Sequence, residues 1–184
     1  MKQDITQRLK DEHQLILRML ALLEKNARLT AAGSFHDYQF YLDGVDFIRN
    51  YADRFHHAKE EDILFEAMIE NGMPRANSPV AAMLMEHDLG RAFVRSMEEA
   101  ATKALNGEAG QDEAIASNAL GYLELLREHI SKEDEILYPL AERVIPVEMR
   151  DGIVAGYQKA EEKAAQGLEE HYRAIVEAYE AKAA

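Results

Sequence analysis

The chain has 184 residues, 47% of them hydrophobic and 30% charged, with no cysteine and a formal net charge of −13. Disulfides, zinc–thiolate sites and cysteine-held iron–sulfur clusters are therefore excluded, and the acidic balance argues against nucleic acid or an anionic membrane as partner, since both are bound through basic patches. No apolar run approaches the length of a membrane span and the start MKQDITQRLK lacks a signal-peptide core, so a soluble, cytoplasmic protein with one substantial core is expected.

Helix formers dominate, and apolar residues recur at steps of three and four. A first helix is predicted over about residues 4–29, starting at Asp4 or Thr6, either a suitable N-cap. Its seam is Ile5, Leu9, Ile16, Leu20, Leu23 and Ala27, with His13 where an aliphatic residue belongs. After a turn at Gly33, a second helix over about 34–70 has its seam through Leu42, Val45, Ile48, Ala52, His56, Glu60, Ile63 and Ala67. Asn71-Gly72 and Pro74 end it. Ser78-Pro79 opens a third helix, closed by Asn106-Gly107, in which His87 interrupts an otherwise small and apolar seam. A fourth, over about 111–143, carries Ile115, Ala119, Tyr122, Leu126, His129, Glu133, Ile136 and Leu140. Residues 146–184 are expected to be helical with interruptions at Gly152, Gly156 and Gly167, docked on the bundle or on a second chain as in a homodimer.

Short connections make successive helices antiparallel neighbours. The reading is all-α: an up-down-up-down four-helix bundle over 1–145 with a C-terminal helical extension over 146–184.

Two stretches echo each other, FHHAKEEDILF at 55–65 and EHISKEDEILYP at 128–139. Aligning Ile63-Leu64-Phe65 with Ile136-Leu137-Tyr138 pairs His56 with His129 and Glu60 with Glu133. Residues at i and i+4 share a helix face, so each pair presents an imidazole beside a carboxylate. His57 and Glu61 are also four apart and form the competing register, because adjacent residues point about a hundred degrees apart and cannot face one core equally. Glu12-His13-Gln14-Leu15 is matched by Glu86-His87-Asp88-Leu89 at an offset of 74, while His56 and His129 are offset by 73, which implies two similar halves around a pseudo-twofold axis. Counted from one end of an antiparallel bundle, His13, His56, Glu60, His87, His129 and Glu133 all lie roughly 13–25 Å deep at about 1.5 Å per residue.

A lone His-x-x-x-Glu is usually a surface ion pair and a lone seam histidine usually a satisfied core residue. Here the same departure recurs on four helices at one level. Burying four imidazoles and two carboxylates is costly unless metal binds them, and this thiolate-free set suits iron, manganese or zinc. EHQL, HHAKEEDILF, EHDL and HISKEDEILYP resemble the hemerythrin-like, HHE cation-binding domains over about residues 4–145. The resemblance implies a non-haem di-iron site with bridging carboxylates, its ligands matching the same six residues, with zinc or manganese as substitutes. Oxygen-carrying members have a second histidine four residues after the one matching His87, and here that position is Arg91. The carrier's five-histidine set is thus incomplete by this reading, His57 being left as an accessory residue and His36 and His171 as solvated ones.

Two functions follow as expectations. One is a di-iron module binding or sensing dioxygen, nitric oxide or peroxide, or handling iron, with an unidentified redox partner and with little or no turnover. The other is enzyme-like, repair of iron–sulfur clusters or other di-iron redox chemistry. It is weakened by the absence of the cysteine-bearing N-terminal domain found in relatives that resemble repair proteins.

Overall fold

Six helices follow one another in the computed structural model, which describes residues 3–183, and no strand occurs among those residues. They are α1 (Gln7–Ala31), α2 over 38–70, α3 (Pro79–Leu105), α4 over 112–144, α5 (Val147–Glu162) and α6 (Leu168–Ala183). The helix starts follow from side chains that accept the first unpaired N–H groups. Asp4 Oδ1 takes those of Thr6 at 2.9 Å and Gln7 at 2.8 Å. Ser78 Oγ takes that of Ala81 at 3.2 Å, with Pro79 behind it, as expected. α2 starts at Tyr38 rather than near Ser34, because Asp37 is the residue whose side chain accepts from Phe40 N–H.

Around the bundle α1 borders α2 and α4, and α3 borders the same two, so the four helices close a ring in chain order. The closest seam is between α3 and α4. A Cβ on Gly121 would come within 2.7 Å of the Phe93 ring, so any larger residue there would displace that ring.

The extension folds back on its own bundle. α5 packs on residues 60–64 and α6 on α1 and residues 48–57. The expected interruptions at Gly152 and Gly156 do not occur. Both lie inside α5, and Gly156 serves close packing, its missing Cβ falling 3.3 Å from Ile63. The break comes at Gly167, whose φ of +74° lets the chain turn between α5 and α6.

Two apolar cores stack along the bundle axis. One holds Ile16, Val45, Ala52, Val94 and Ile130 with Tyr172 and Val176 of α6; the other holds Leu9, Leu64, Met83 and Leu137 with Ile153 and Tyr157 of α5. Each of the four bundle helices crosses from one core to the other, and the histidines and glutamates occupy the crossing.

At that level the helices widen. Ala58 N–H donates to Asp53 O, Phe65 N–H to Glu60 O and Tyr138 N–H to Glu133 O, each five residues back instead of four. Such turns rotate the chain less per residue than an α-helix does, and they are frequent at functional sites. They correct the seam read from the sequence. Past each glutamate the phase slips by one residue, so Leu64 and Leu137 are buried, Ile63 is only partly covered and Ile136 is 59% exposed.

Candidate metal centre

All six residues singled out in the sequence meet on the bundle axis, and none exposes more than 2% of its surface. His13, His56, Glu60 and Glu133 each offer a ligand atom, all within 4.8 Å of one another. A second set, His57, Glu60, His87 and His129, meets the same limit, so Glu60 is common to both. Glu133 also spans the two, with Oε2 3.4 Å from His13 Nε2 and Oε1 3.1 Å from His129 Nε2.

His57 is therefore part of the cluster, stacked on His87 with ring centroids 3.8 Å apart. The competing registers mix: His57 joins His56 inside, while Glu61, 25% exposed, stays at the margin and meets His87 Nδ1 at 2.6 Å. The widened turn is the reason, since it reduces the angle between adjacent side chains enough for both imidazoles to reach the core. His36 and His171 lie at the surface as expected.

Each of the five imidazoles sets Nδ1 against a carboxylate: Asp134 on His13 (3.0 Å), Glu12 on His56 (2.8 Å), Asp53 on His57 (3.4 Å), Glu61 on His87 (2.6 Å) and Glu86 on His129 (2.9 Å). A histidine that donates Nδ1–H in this way turns a basic Nε2 toward its metal, and the carboxylate fixes both tautomer and orientation. The Nε2 atoms duly face inward. His56 Nε2, Glu60 Oε2 and both carboxylate oxygens of Glu133 are buried without a hydrogen-bond partner. His87 Nε2 and His129 Nε2 lie 3.0 Å apart. Two lone pairs at that distance need a proton or a cation between them. Unpaired buried carboxylate oxygens are among the costliest groups a core can hold. The donor set thus fits metal ions.

The pseudo-twofold axis extends to the supporting residues. Glu12 and Glu86 hold His56 and His129; Lys59 and Lys132 in turn bind Glu12 and Glu86; Glu61 and Asp134 hold His87 and His13. None of these supports was read from the sequence, though the signal was present in the repeat itself, as Glu-His and Lys-Glu dipeptides in both halves. The symmetry breaks at four positions, where His57, Asp53, Arg91 and Phe65 correspond to Ile130, Leu126, Leu17 and Tyr138. Tyr138 donates its hydroxyl to Glu60 at 2.5 Å and stacks on His13, whereas Phe65 only stacks on His87. The repeat carrying His57 thus has an extra imidazole with its acidic partner, where the other repeat has aliphatic residues at the corresponding positions.

Arg91 neither reaches the centre nor extends freely into solvent. It donates to Asp53 at 2.6 Å and to Glu61 at 2.7 Å, the carboxylates that hold His57 and His87, and to Asp88 at 2.9 Å. Its guanidinium thus bonds two members of the one further group of ligand atoms found among the described residues, Asp53, His57 and Glu61.

A helical bundle with a buried cluster of five histidines and two glutamates defines a cation-binding bundle protein. The chain belongs to the hemerythrin HHE cation-binding domain family, whose profile matches residues 4–141, from the start of α1 into the last turns of α4. No curated protein and no solved structure matches it beyond chance. Among the described residues no helix is long and apolar enough to cross a membrane.

Proposed function

We propose that this protein holds two iron ions as a non-haem di-iron centre and uses that centre to bind or sense a small molecule such as dioxygen, nitric oxide or peroxide. The observation that carries this reading is the inward-facing set of Nε2 and carboxylate oxygens, buried and unpaired, which divides into two four-residue groups sharing Glu60. One ion falls to His13, His56, Glu60 and Glu133, the other to His57, His87, His129 and Glu60, with Glu133 in reach of both. His57 brings the histidines to five from a different helix than the one carrying Arg91. Iron bound there supplies redox equivalents and a coordination position for a small ligand. The residues around it keep the imidazoles oriented, and Tyr138 fixes Glu60 through its hydroxyl.

Elemental analysis of protein purified without added metal should find about two ions per chain, since the six to seven ligands exceed the four of a tetrahedral zinc site. One tightly held zinc, or no metal, overturns the reading. Glu60→Ala and Glu133→Ala should each empty the centre, and His57→Ala should lower the content toward one ion. Glu61→Ala removes only a support and should weaken affinity by about 10–100-fold. The reduced protein is expected to oxidise in air, and azide or nitric oxide to perturb its optical spectrum. Stable, repeated oxygenation and deoxygenation would instead establish a carrier.

A further inference from the structure

Arginine concentrates at one place on this acidic molecule. Arg49, Arg54, Arg91 and Arg95, four of the twelve in the chain, line a single cavity of about 220 Å³ between α2, α3 and α4. The walls step inward in register. Arg49, Asp53 and His57 follow at four-residue intervals on α2, and Arg95, Arg91 and His87 on α3, so the cavity leads about 12 Å from an arginine rim to two histidines of the centre. Between these polar stripes Ile48, Val94 and Leu126 supply an apolar lining, joined by the Glu86 carboxylate, which His129 and Lys132 engage. Gly90 lies on the inner wall, where a Cβ would meet the Tyr122 ring at 3.4 Å.

The four arginines are not equivalent. Arg49 is paired with Glu98, and Arg91 with Asp53, Glu61 and Asp88. Arg54 and Arg95 are exposed and form no ion pair among the described residues, Arg54 donating only to the Asn50 side-chain oxygen at 3.0 Å. Guanidinium groups recognise carboxylates through paired hydrogen bonds, and a local basic rim reverses the repulsion that the rest of the molecule exerts on anions. Size narrows the ligand further. A cavity of about 150 Å³ suffices for benzene, whereas drug-sized ligands need about 300–1,000 Å³. A diatomic molecule leaves most of this space empty, and an inorganic anion leaves its apolar wall unused.

We propose that the cavity binds a small organic anion, a monocarboxylate with an apolar body of benzoate or hexanoate size. Its carboxylate pairs with Arg54 and Arg95, and its body lies against Ile48, Val94 and Leu126, next to His57 and His87. The site adjoins the ion proposed above: His57 and His87 end the cavity, whereas Arg54, Arg95, Ile48, Val94 and Leu126, which would hold the anion, are not among that ion's residues.

The test is calorimetric titration of the full chain, metal-loaded and metal-free, with benzoate, hexanoate, acetate and the neutral analogue benzamide. Benzoate and hexanoate should bind one to one, with acetate and benzamide about tenfold weaker or more, and added salt should weaken binding. The double variant Arg54→Gln/Arg95→Gln, altered only at the exposed rim, should lose about tenfold in benzoate affinity while its melting temperature and metal content stay unchanged. Benzamide binding as tightly as benzoate, acetate as tightly as hexanoate, or benzoate binding indifferent to the double variant each overturns the proposal. Two ions per chain with no saturable benzoate binding refutes this inference alone. Benzoate binding by a chain that takes up no metal refutes the di-iron reading alone.

Discussion

Which nitrogen each histidine turns inward decides the chemistry at the scale of single residues. Five carboxylates engage five Nδ1 atoms, and what remains on the axis is basic Nε2 and carboxylate oxygen. Without metal these groups hold protons unevenly. Burial and the adjacent Glu133 charge push the Glu60 carboxyl well above its ordinary range. Burial alone would do the same to Glu133, but the charges of the neighbouring His129 and His13 imidazoles hold it well below. Burial disfavours the charged form of His13, yet its bond to Asp134 and the nearby Glu133 carboxylate outweigh that and raise it to about 9; His129 is raised against its burial by Glu133 and Glu86. His56 and His57 are held neutral by burial and by the neighbouring imidazoles. At pH 7, below the value of about 9 reached by His13, that imidazole carries a proton that ligation must displace, and Glu60 and His129 hold protons more readily than they ordinarily would. Metal loading should release protons, about one per chain or more, measured in weak buffer with an indicator dye. Uptake without proton release would show that these groups are not the ligands.

Within single elements, the widened turns after Asp53, Glu60 and Glu133 do two things. They bring adjacent His56 and His57 to one interior, and they advance the apolar face by one residue in both halves. Ile63 and Ile136 then have different fates, since α5 covers the first with Gly156 against it and nothing in the second half does the same. Leu137→Ala, at a fully buried position, should cost about 2–5 kcal/mol of unfolding free energy. Ile136→Ala should stay within about 0.5 kcal/mol. Denaturant titrations of the two variants check this, and equal losses would restore the seam with Ile136 inside.

For the whole molecule, two apolar cores are joined across a polar layer whose stability depends on what fills it. The C-terminal helices contribute to both cores. α5 also reaches the layer through Glu161, which meets Lys59 Nζ at 3.2 Å, and Lys59 in turn holds Glu12 and so His56. Ions that bind only the folded chain stabilise it by mass action, about 2.7 kcal/mol at a hundredfold excess over Kd. For a domain of this size that corresponds to roughly 5–11 °C in Tm. Chelation should lower the melting temperature by about that amount, and stoichiometric iron should restore it. A melting temperature indifferent to chelator and iron would mean that no ion is held by the native bundle.

The sequence by itself determined the four-helix bundle and the level of its polar layer. Apolar periodicity is a property of each helix taken alone, and a uniform rise per residue places His13, His56, Glu60, His87, His129 and Glu133 at one depth once the helices run antiparallel. The repeated Glu-His and Lys-Glu pairs were visible too, although what they touch was not. Tertiary structure alone decided three things. His57 enters the cluster because of hydrogen bonds five residues apart, which no α-helical period contains. Glu12 finds His56, and Glu61 finds His87, across helix interfaces 44 and 26 residues apart in sequence. The arginine-rimmed cavity forms where α2, α3 and α4 leave space around Gly90. Each depends on the distance between helices, and that distance is set by packing between surfaces rather than by the pattern along any one of them.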